Sequence, residues 1–227
     1  TGTFHSHLES DDGMDLSNVT LGTGFESTDV ILLDTGNDSV ATLTVNSNTN
    51  LNGVEIRSLD GAVGSGDDLI QLVDGGVTIS FASNTLTGID GIVGGTGNDN
   101  ITGSAGSETI VGGQGNDTMT GGAGSDTFKY FATDELGDTI TSFVSATDQF
   151  QFSRANFGGD SNTDGALDAG GFESGAGLTS STGTAVFVFD STGNDLYYDA
   201  DANGAGTGVL VADLDATVAA ADITFAA

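Results

Sequence analysis

The sequence predicts an all-β chain wound as a parallel β-solenoid, a β-roll followed by a β-rich C-terminal cap. Three observations carry this expectation. Four glycine-rich nonapeptides run in tandem from residue 94 to residue 129. The 227 residues include 33 acidic and only 3 basic ones, a formal charge of −30, yet 37% of the chain is hydrophobic. Aromatic residues crowd the stretch just behind the repeats. A chain so acidic closes a core only when something neutralises its carboxylates. With no Cys for disulfides or thiolate sites, that role falls to oxygen-ligated divalent cations.

The repeats set the winding. Gly94-Gly-Thr-Gly-Asn-Asp-Asn-Ile-Thr102, Gly103-Ser-Ala-Gly-Ser-Glu-Thr-Ile-Val111, Gly112-Gly-Gln-Gly-Asn-Asp-Thr-Met-Thr120 and Gly121-Gly-Ala-Gly-Ser-Asp-Thr-Phe-Lys129 follow one another without a gap. Glycines at the first, second and fourth positions allow positive φ, so that carbonyls turn toward one point beside the carboxylate at the sixth. The last three residues form a strand whose central apolar residue (Ile101, Ile110, Met119, Phe128) points inward. Successive nonapeptides then lie on opposite sides of a flattened roll. Repeats one and three stack on one side, two and four on the other, with rungs about 4.8 Å apart.

Two stacked turns surround one gap with two carboxylates and several carbonyls, a hard oxygen cage of the size calcium prefers to magnesium. One calcium site is expected between the turns ending at Asp99 and Asp117, with backbone oxygens from Gly94, Thr96, Gly97, Gly112, Gln114 and Gly115. A second is expected between Glu108 and Asp126, with Gly103, Ala105, Gly121 and Ala123. Glu108 adds a methylene and Ser104 replaces the second glycine, so this site departs from the pattern. Several ions are expected, with Asp38, Asp68 and Asp138 as further ligands.

Upstream, Asp34-Thr-Gly-Asn-Asp-Ser-Val40 and Val63-Gly-Ser-Gly-Asp-Asp-Leu-Ile70 are degenerate relatives, and Asp38, Asp68 and Asp99 recur every 30 or 31 residues. Each is preceded by a glycine-apolar-acid triplet: Gly24-Phe-Glu26, Gly53-Val-Glu55 and Gly88-Ile-Asp90. Wider coils with strands at 41–45, 54–59 and 77–81 account for this; a separate small β-sandwich before the roll is the alternative. After residue 129 the period breaks, and Phe128-Lys-Tyr-Phe131, Asp138-Thr-Ile-Thr-Ser-Phe143 and Phe150-Gln-Phe152 concentrate aromatics where a last rung would bare its core. The expected divisions are an N-terminal tail over 1–20, degenerate coils over 21–93, the nonapeptide roll over 94–129, and a cap with an export module over 130–227.

The nonapeptides resemble those of the repeats-in-toxin (RTX) proteins exported by type I secretion. The stretch 138–150 is similar to the segment behind the roll in serralysin-type proteases. Phe187-Val-Phe-Asp190, Asp195-Leu-Tyr-Tyr-Asp-Ala-Asp-Ala-Asn-Gly204 and Ala221-Asp-Ile-Thr-Phe225 look like the C-terminal target module of type I substrates. The resemblance implies an uncleaved C-terminal export signal, which accords with the absence of a cationic and apolar leader in residues 1–20. It also implies export by the type I secretion machinery of a Gram-negative bacterium or a cyanobacterium, to the medium or the cell surface.

Two acidic loops begin like EF-hands. Asp160, Asn162 and Asp164 lead to Asp168, but Gly171 stands where a bidentate Glu belongs; Asp199, Asp201 and Asn203 lead to Leu210. Plain Asx-rich turns explain them equally well. The only histidines are His5 and His7, and neither H-E-x-x-H nor G-x-S-x-G occurs. No enzyme is therefore expected. Arg57, Lys129 and Arg154 form no basic patch, so nucleic acid is not a partner, and no run approaches the ~20 apolar residues of a membrane span. The 13 Phe and 3 Tyr belong mainly to inward positions, although one of Tyr197 and Tyr198 faces outward. The resulting expectation is a non-enzymatic, calcium-binding extracellular protein, an adhesin, surface-layer or matrix component, with a second copy in a filament or lattice and a cell-surface glycan as candidate partners. The rival is the secretion and folding module of a larger protease, lipase or polysaccharide-modifying enzyme.

Overall fold

The computed structural model describes residues 14–15, 30–33, 42–45, 55–58, 68–158, 164–179, 186–201 and 207–226. Strands dominate, and nearly all pair in parallel, as in-register coils require. One eight-stranded sheet runs Met14–Asp15, Thr42–Val45, Leu69–Leu72, Gly91–Val93, Thr109–Val111, Thr127–Tyr130, Gln149–Ser153, Ile223–Ala226, parallel throughout. A second runs Thr78–Ser80, Asn100–Thr102, Thr118–Thr120, Asp138–Thr141, Val209–Leu214, Asp195–Tyr198, Phe187–Asp190, Phe172–Gly175. Repeats one and three do share one sheet, and repeats two and four the other.

The period of two along each strand sends one residue per rung inward, and the register stacks these residues. Leu43, Ile70, Ile92, Ile110, Phe128, Phe150 and Ile223 form one buried column. Ile79, Ile101, Met119, Ile140 and Leu214 face it from the second sheet. Fully burying each such side chain contributes about 1.5–3 kcal/mol.

Upstream of the roll the coils are wider and have a third face. Val30–Leu33, Glu55–Ser58 and Thr85–Thr87 form a three-stranded parallel sheet. The expected strands at 41–45, 54–59 and 77–81 are found as Thr42–Val45, Glu55–Ser58 and Thr78–Ser80. The equivalence of Asp68 and Asp99 does not hold. Asp68 precedes a strand of the first sheet and Asp99 one of the second; the successor of Asp68 is Asp90, one 22-residue coil later. On the third face the intervals are uneven, Val30 pairing with Glu55 and Glu55 with Thr85.

The aromatic stretch also differs from expectation. Asp138–Thr141 lies between Thr118–Thr120 and Val209–Leu214, and Gln149–Ser153 between Thr127–Tyr130 and Ile223–Ala226, so both are internal rungs rather than a lid. Coils lengthen from 18 residues in the roll to 21 and 22 behind it, because the turn Thr133–Glu135 and the loop 142–148 take up the extra chain. Nine-residue periodicity is lost, but the winding continues. Wider coils admit rings: Phe143 and Phe150 stack at 5.2 Å, Tyr130 and Phe152 at 5.5 Å, and Phe152 meets Phe187 at 4.5 Å. Among the described residues the antiparallel pairings are the bridge of Ala166 with Thr224 and those of Asp195–Tyr198 with Phe187–Asp190 and with Val209–Leu214. There Tyr198 is buried and Tyr197 half-buried, as adjacent strand positions require. Among the described residues no helix is long and apolar enough to cross a membrane.

Glycines hold the coils close where backbone meets backbone. A Cβ on Gly115, whose φ is +136°, would collide with the Gly97 carbonyl of the preceding coil. Gly75, at φ +86°, faces open space. Gly115→Ala is therefore expected to cost on the order of 3 kcal/mol, backbone strain plus clash, and Gly75→Ala about 1 kcal/mol from strain alone. Thermal unfolding of both variants at fixed calcium checks the order.

Candidate metal centre

Every turn of the roll delivers an acid two residues before the inward apolar residue, at the point where the chain passes from turn to strand. In every turn but that of Glu108 the carboxylate reaches back one coil. Asp117 Oδ1 accepts from the backbone N–H of Asp99 at 2.8 Å, and Asp138 Oδ1 from that of Asp117 at 2.8 Å. Asp99 Oδ1 accepts from Val77 at 2.7 Å. On the other edge Asp126 Oδ1 accepts from Glu108 at 3.0 Å and Asp148 Oδ1 from Asp126 at 3.0 Å. Two ladders of buried carboxylates thus run along the two edges of the solenoid, each oxygen pinning the coil before it.

One oxygen of each carboxylate serves the ladder, so the fate of the second decides the chemistry. Asp117 Oδ2 is buried and accepts no hydrogen bond. It faces Gly112, the first residue of its own repeat, where a Cβ would strike it; Asp126 Oδ2 faces Gly121 in the same manner. At Gly94 the carbonyl oxygen of Gly112 and Asp99 Oδ2 converge on the space that a side chain would fill. A buried acid oxygen without a donor is costly in a metal-free fold. The arrangement fits a hard divalent cation, which would be held by Asp99, Asp117 and Asp126 with glycine carbonyls beside them. Calcium supplies positive charge and accepts roughly six to eight oxygens at flexible geometry. Among the described residues no three acidic or histidine side chains converge, so carbonyls have to complete any such shell.

The other sequence-derived ligands fall out as follows. The carbonyls of Thr96 and Gln114 already accept from Gly75 and Gly97, at 2.6 and 2.8 Å, in a parallel bridge between the two turns. Among the described residues Ala105 and Ala123 are not bridged in this way. Glu108 does not reach back to the preceding coil: Oε2 accepts from the Ser104 N–H at 3.1 Å and Oε1 takes the Ser104 hydroxyl. The two departures seen in repeat two compensate each other, the longer acid folding onto the residue that replaces glycine. Asp164 makes an Asx turn onto the Ala166 N–H at 2.9 Å. Asp199 is buried and Asp201 exposed, away from the ladders. Asp38, Asp160, Asn162 and Asn203 lie outside the described residues. Asp90 and Asp148, missed as ladder members, carry the signal that would have found them, an acid two residues before an inward Ile92 or Phe150.

Residues 85–119 and 93–128 match the family of RTX calcium-binding nonapeptide repeats, in four copies. This chain carries RTX calcium-binding repeats. No curated protein matches it. The RTX repeats bind calcium and mark a secreted protein, and the matched residues contain Asp99, Glu108, Asp117 and Asp126.

Burial raises the carboxyls of this RTX region. Desolvation lifts Asp117 above the ordinary 3.8, Asp126 to about 6 and Asp138 to about 7, against opposing backbone hydrogen bonds. A folded-state value above the unfolded one means that the metal-free fold is favoured by protonation below about pH 4, and that this contribution is lost as pH rises through about 6 and 7. In excess chelator, circular dichroism should show more β structure at pH 5.5 than at pH 8. Calcium ligation needs the ionised form, so acidification over the same window should raise the calcium midpoint. A chelated chain more ordered at pH 8 than at pH 5.5 would contradict the burial of these groups.

Proposed function

We propose that the protein is a non-enzymatic extracellular structural component, an adhesin, surface-layer or matrix protein, exported through type I machinery as an open chain and folded by calcium outside the cell. The observation that carries this reading is the duty of the buried acids. Asp99, Asp117, Asp126, Asp138 and Asp148 each hold the backbone of a neighbouring coil, a scaffold's use of charge. A net charge of −30 keeps the metal-free chain extended for export, and binding energy becomes folding energy where calcium is plentiful.

Self-association extends the reading. Among the described residues the second sheet runs from Thr78–Ser80 to Phe172–Gly175, so the two ends of the solenoid are unlike. A head-to-tail contact between unlike ends propagates as a filament or lattice.

Two measurements test this. Addition of a calcium chelator at pH 8 should abolish the β spectrum, and calcium should restore it; a β spectrum indifferent to chelation would remove the folding mechanism. Light scattering over a calcium series at fixed ionic strength should then show growth beyond the monomer once the chain has folded. A chain that folds with calcium yet stays monomeric at high concentration would point instead to a passive folding module of a larger secreted protein.

A further inference from the structure

The two ladders do not stop where the nonapeptides stop. Asp138 and Asp148 continue them with the same Oδ1 hydrogen bonds to the coil before, so on the first oxygen alone they are indistinguishable from Asp117 and Asp126. Their second oxygens are different. Asp138 Oδ2 accepts from the buried hydroxyl of Tyr130 at 2.8 Å, whereas Asp148 Oδ2 accepts from the Val144 N–H at 2.8 Å, the same bond from four residues back that Asp99 Oδ2 receives from Gly95 at 3.2 Å. Asp117 Oδ2, one rung earlier, has no donor at all.

We propose that the Tyr130 hydroxyl is a metal-replacing plug that ends the ion column of its edge, so that calcium is held by the turns of Asp99, Asp117 and Asp126 and excluded from Asp138. The proposal rests on the calcium binding that the repeats confer. A carboxylate oxygen already taken by a buried donor has to lose that bond before it ligates a cation, and the abandoned donor is then left unsatisfied in the interior. Tyr130 is held in place for this duty. Its ring stacks on Phe152 at 5.5 Å and Phe150 at 6.4 Å, and the residue is 1% exposed. A tyrosine, unlike a cation, reaches Asp138 from the same rung as the inward Phe128, two residues along the strand, and so ties the last metal-dependent turn to the aromatic core. Tyr130 sits at the step where the coils of its edge lengthen from 18 to 21 residues. The glycine cradle also ends there, since the turn before Asp138 is Thr133–Glu135 rather than a glycine-rich one.

Asparagine distinguishes the two kinds of position. In Asp138→Asn the amide oxygen still accepts from Asp117, and the amide nitrogen donates to Tyr130, whose hydroxyl turns from donor to acceptor. In Asp117→Asn the amide nitrogen points its hydrogens where a cation would sit. Equilibrium dialysis with calcium on the full chain, with circular dichroism to confirm folding, should show Asp138→Asn binding as many ions as the unaltered protein, with its midpoint changed less than twofold. Asp117→Asn should lose at least one ion or have its midpoint raised tenfold or more. A crystal structure of the unaltered, calcium-loaded chain gives the same answer without substitutions, and should show no ion within about 2.6 Å of an Asp138 oxygen. An ion on Asp138, or loss of an ion from folded Asp138→Asn, overturns the proposal and leaves calcium binding by the repeats intact. If the unaltered chain took up no calcium, the reading beneath the proposal would fail instead.

Discussion

The hydrogen bond from a carboxylate oxygen to the backbone N–H of the preceding coil is the constraint on which the rest of this solenoid depends. It fixes the vertical register of the turns, as the inward columns fix that of the strands. It also commits one acid per turn to a buried position on the edge, where the cost of desolvation is severe unless the charge is compensated. The ladder therefore creates the need that calcium meets. Asp117, Asp126 and Asp138 all have raised proton affinity for the same first reason, burial. Neutralisation by proton, by metal or by an internal donor are the three remedies open to such a group. The chain uses the last at Asp99, Asp138 and Asp148, by a side-chain donor only at Asp138, and leaves Asp117 without it.

Close stacking of the turns has a backbone requirement that follows from the same geometry. Gly122 and Gly124, at φ +113° and +107°, stand against the carbonyls of Ser104 and Gly106, and a side chain at either would collide with backbone rather than with a movable neighbour. Repeat two shows how far the rule bends. Ser104 replaces a glycine and Glu108 an aspartate, and because the longer acid folds back onto the serine hydroxyl and N–H the turn keeps its internal bonds. The link from Glu108 back to the preceding coil is lost, whereas the link from Asp126 back to Glu108 is kept. A double substitution is tolerated in one turn because the defect is closed locally.

Much of this was legible in the residues because the nine-residue period is a direct image of the geometry. The alternation of repeats between two sheets follows from strand length and turn chemistry, and so does the inward set Ile101, Ile110, Met119 and Phe128. What escaped was whatever kept the winding but changed the coil length. Asp68 and Asp99 look like successive members of one series, although their strands lie on opposite sheets, since a 30-residue interval can hold a whole coil plus part of another. Asp148 and Phe150 continue the ladder and the column without glycines to announce them. The acid-to-apolar offset of two survives every change of coil length, because it reflects the passage from turn to strand rather than the size of the turn. The EF-hand-like spacing at Asp164 is a weaker guide than the nonapeptides, because an Asx turn, here onto the Ala166 N–H, calls for the same residue type without a metal.

The contrast between the roll and the coils behind it explains why metal is concentrated where it is. Within the roll the inward residues are Ile101, Ile110 and Met119, with an aromatic, Phe128, only in the last repeat, and each turn has up to three glycines, so these coils gain little burial and lose the most backbone entropy on folding. Behind it, Phe143, Phe150, Phe152, Phe157, Phe187 and Phe225 with Tyr130 and Tyr198 form a connected aromatic cluster. Aromatic side chains supply far more buried area per residue than the roll can. The deficit of the roll therefore has to be met by ligand binding, and that of the following coils is met by packing. Tyr130 belongs to both regimes: its ring lies in the cluster and its hydroxyl ends the carboxylate ladder. The step from glycine-rich to aromatic coils is thus bridged by a single side chain, and Asp138, which accepts from both the Tyr130 hydroxyl and the Asp117 N–H, joins the last turn of the roll to the aromatic core.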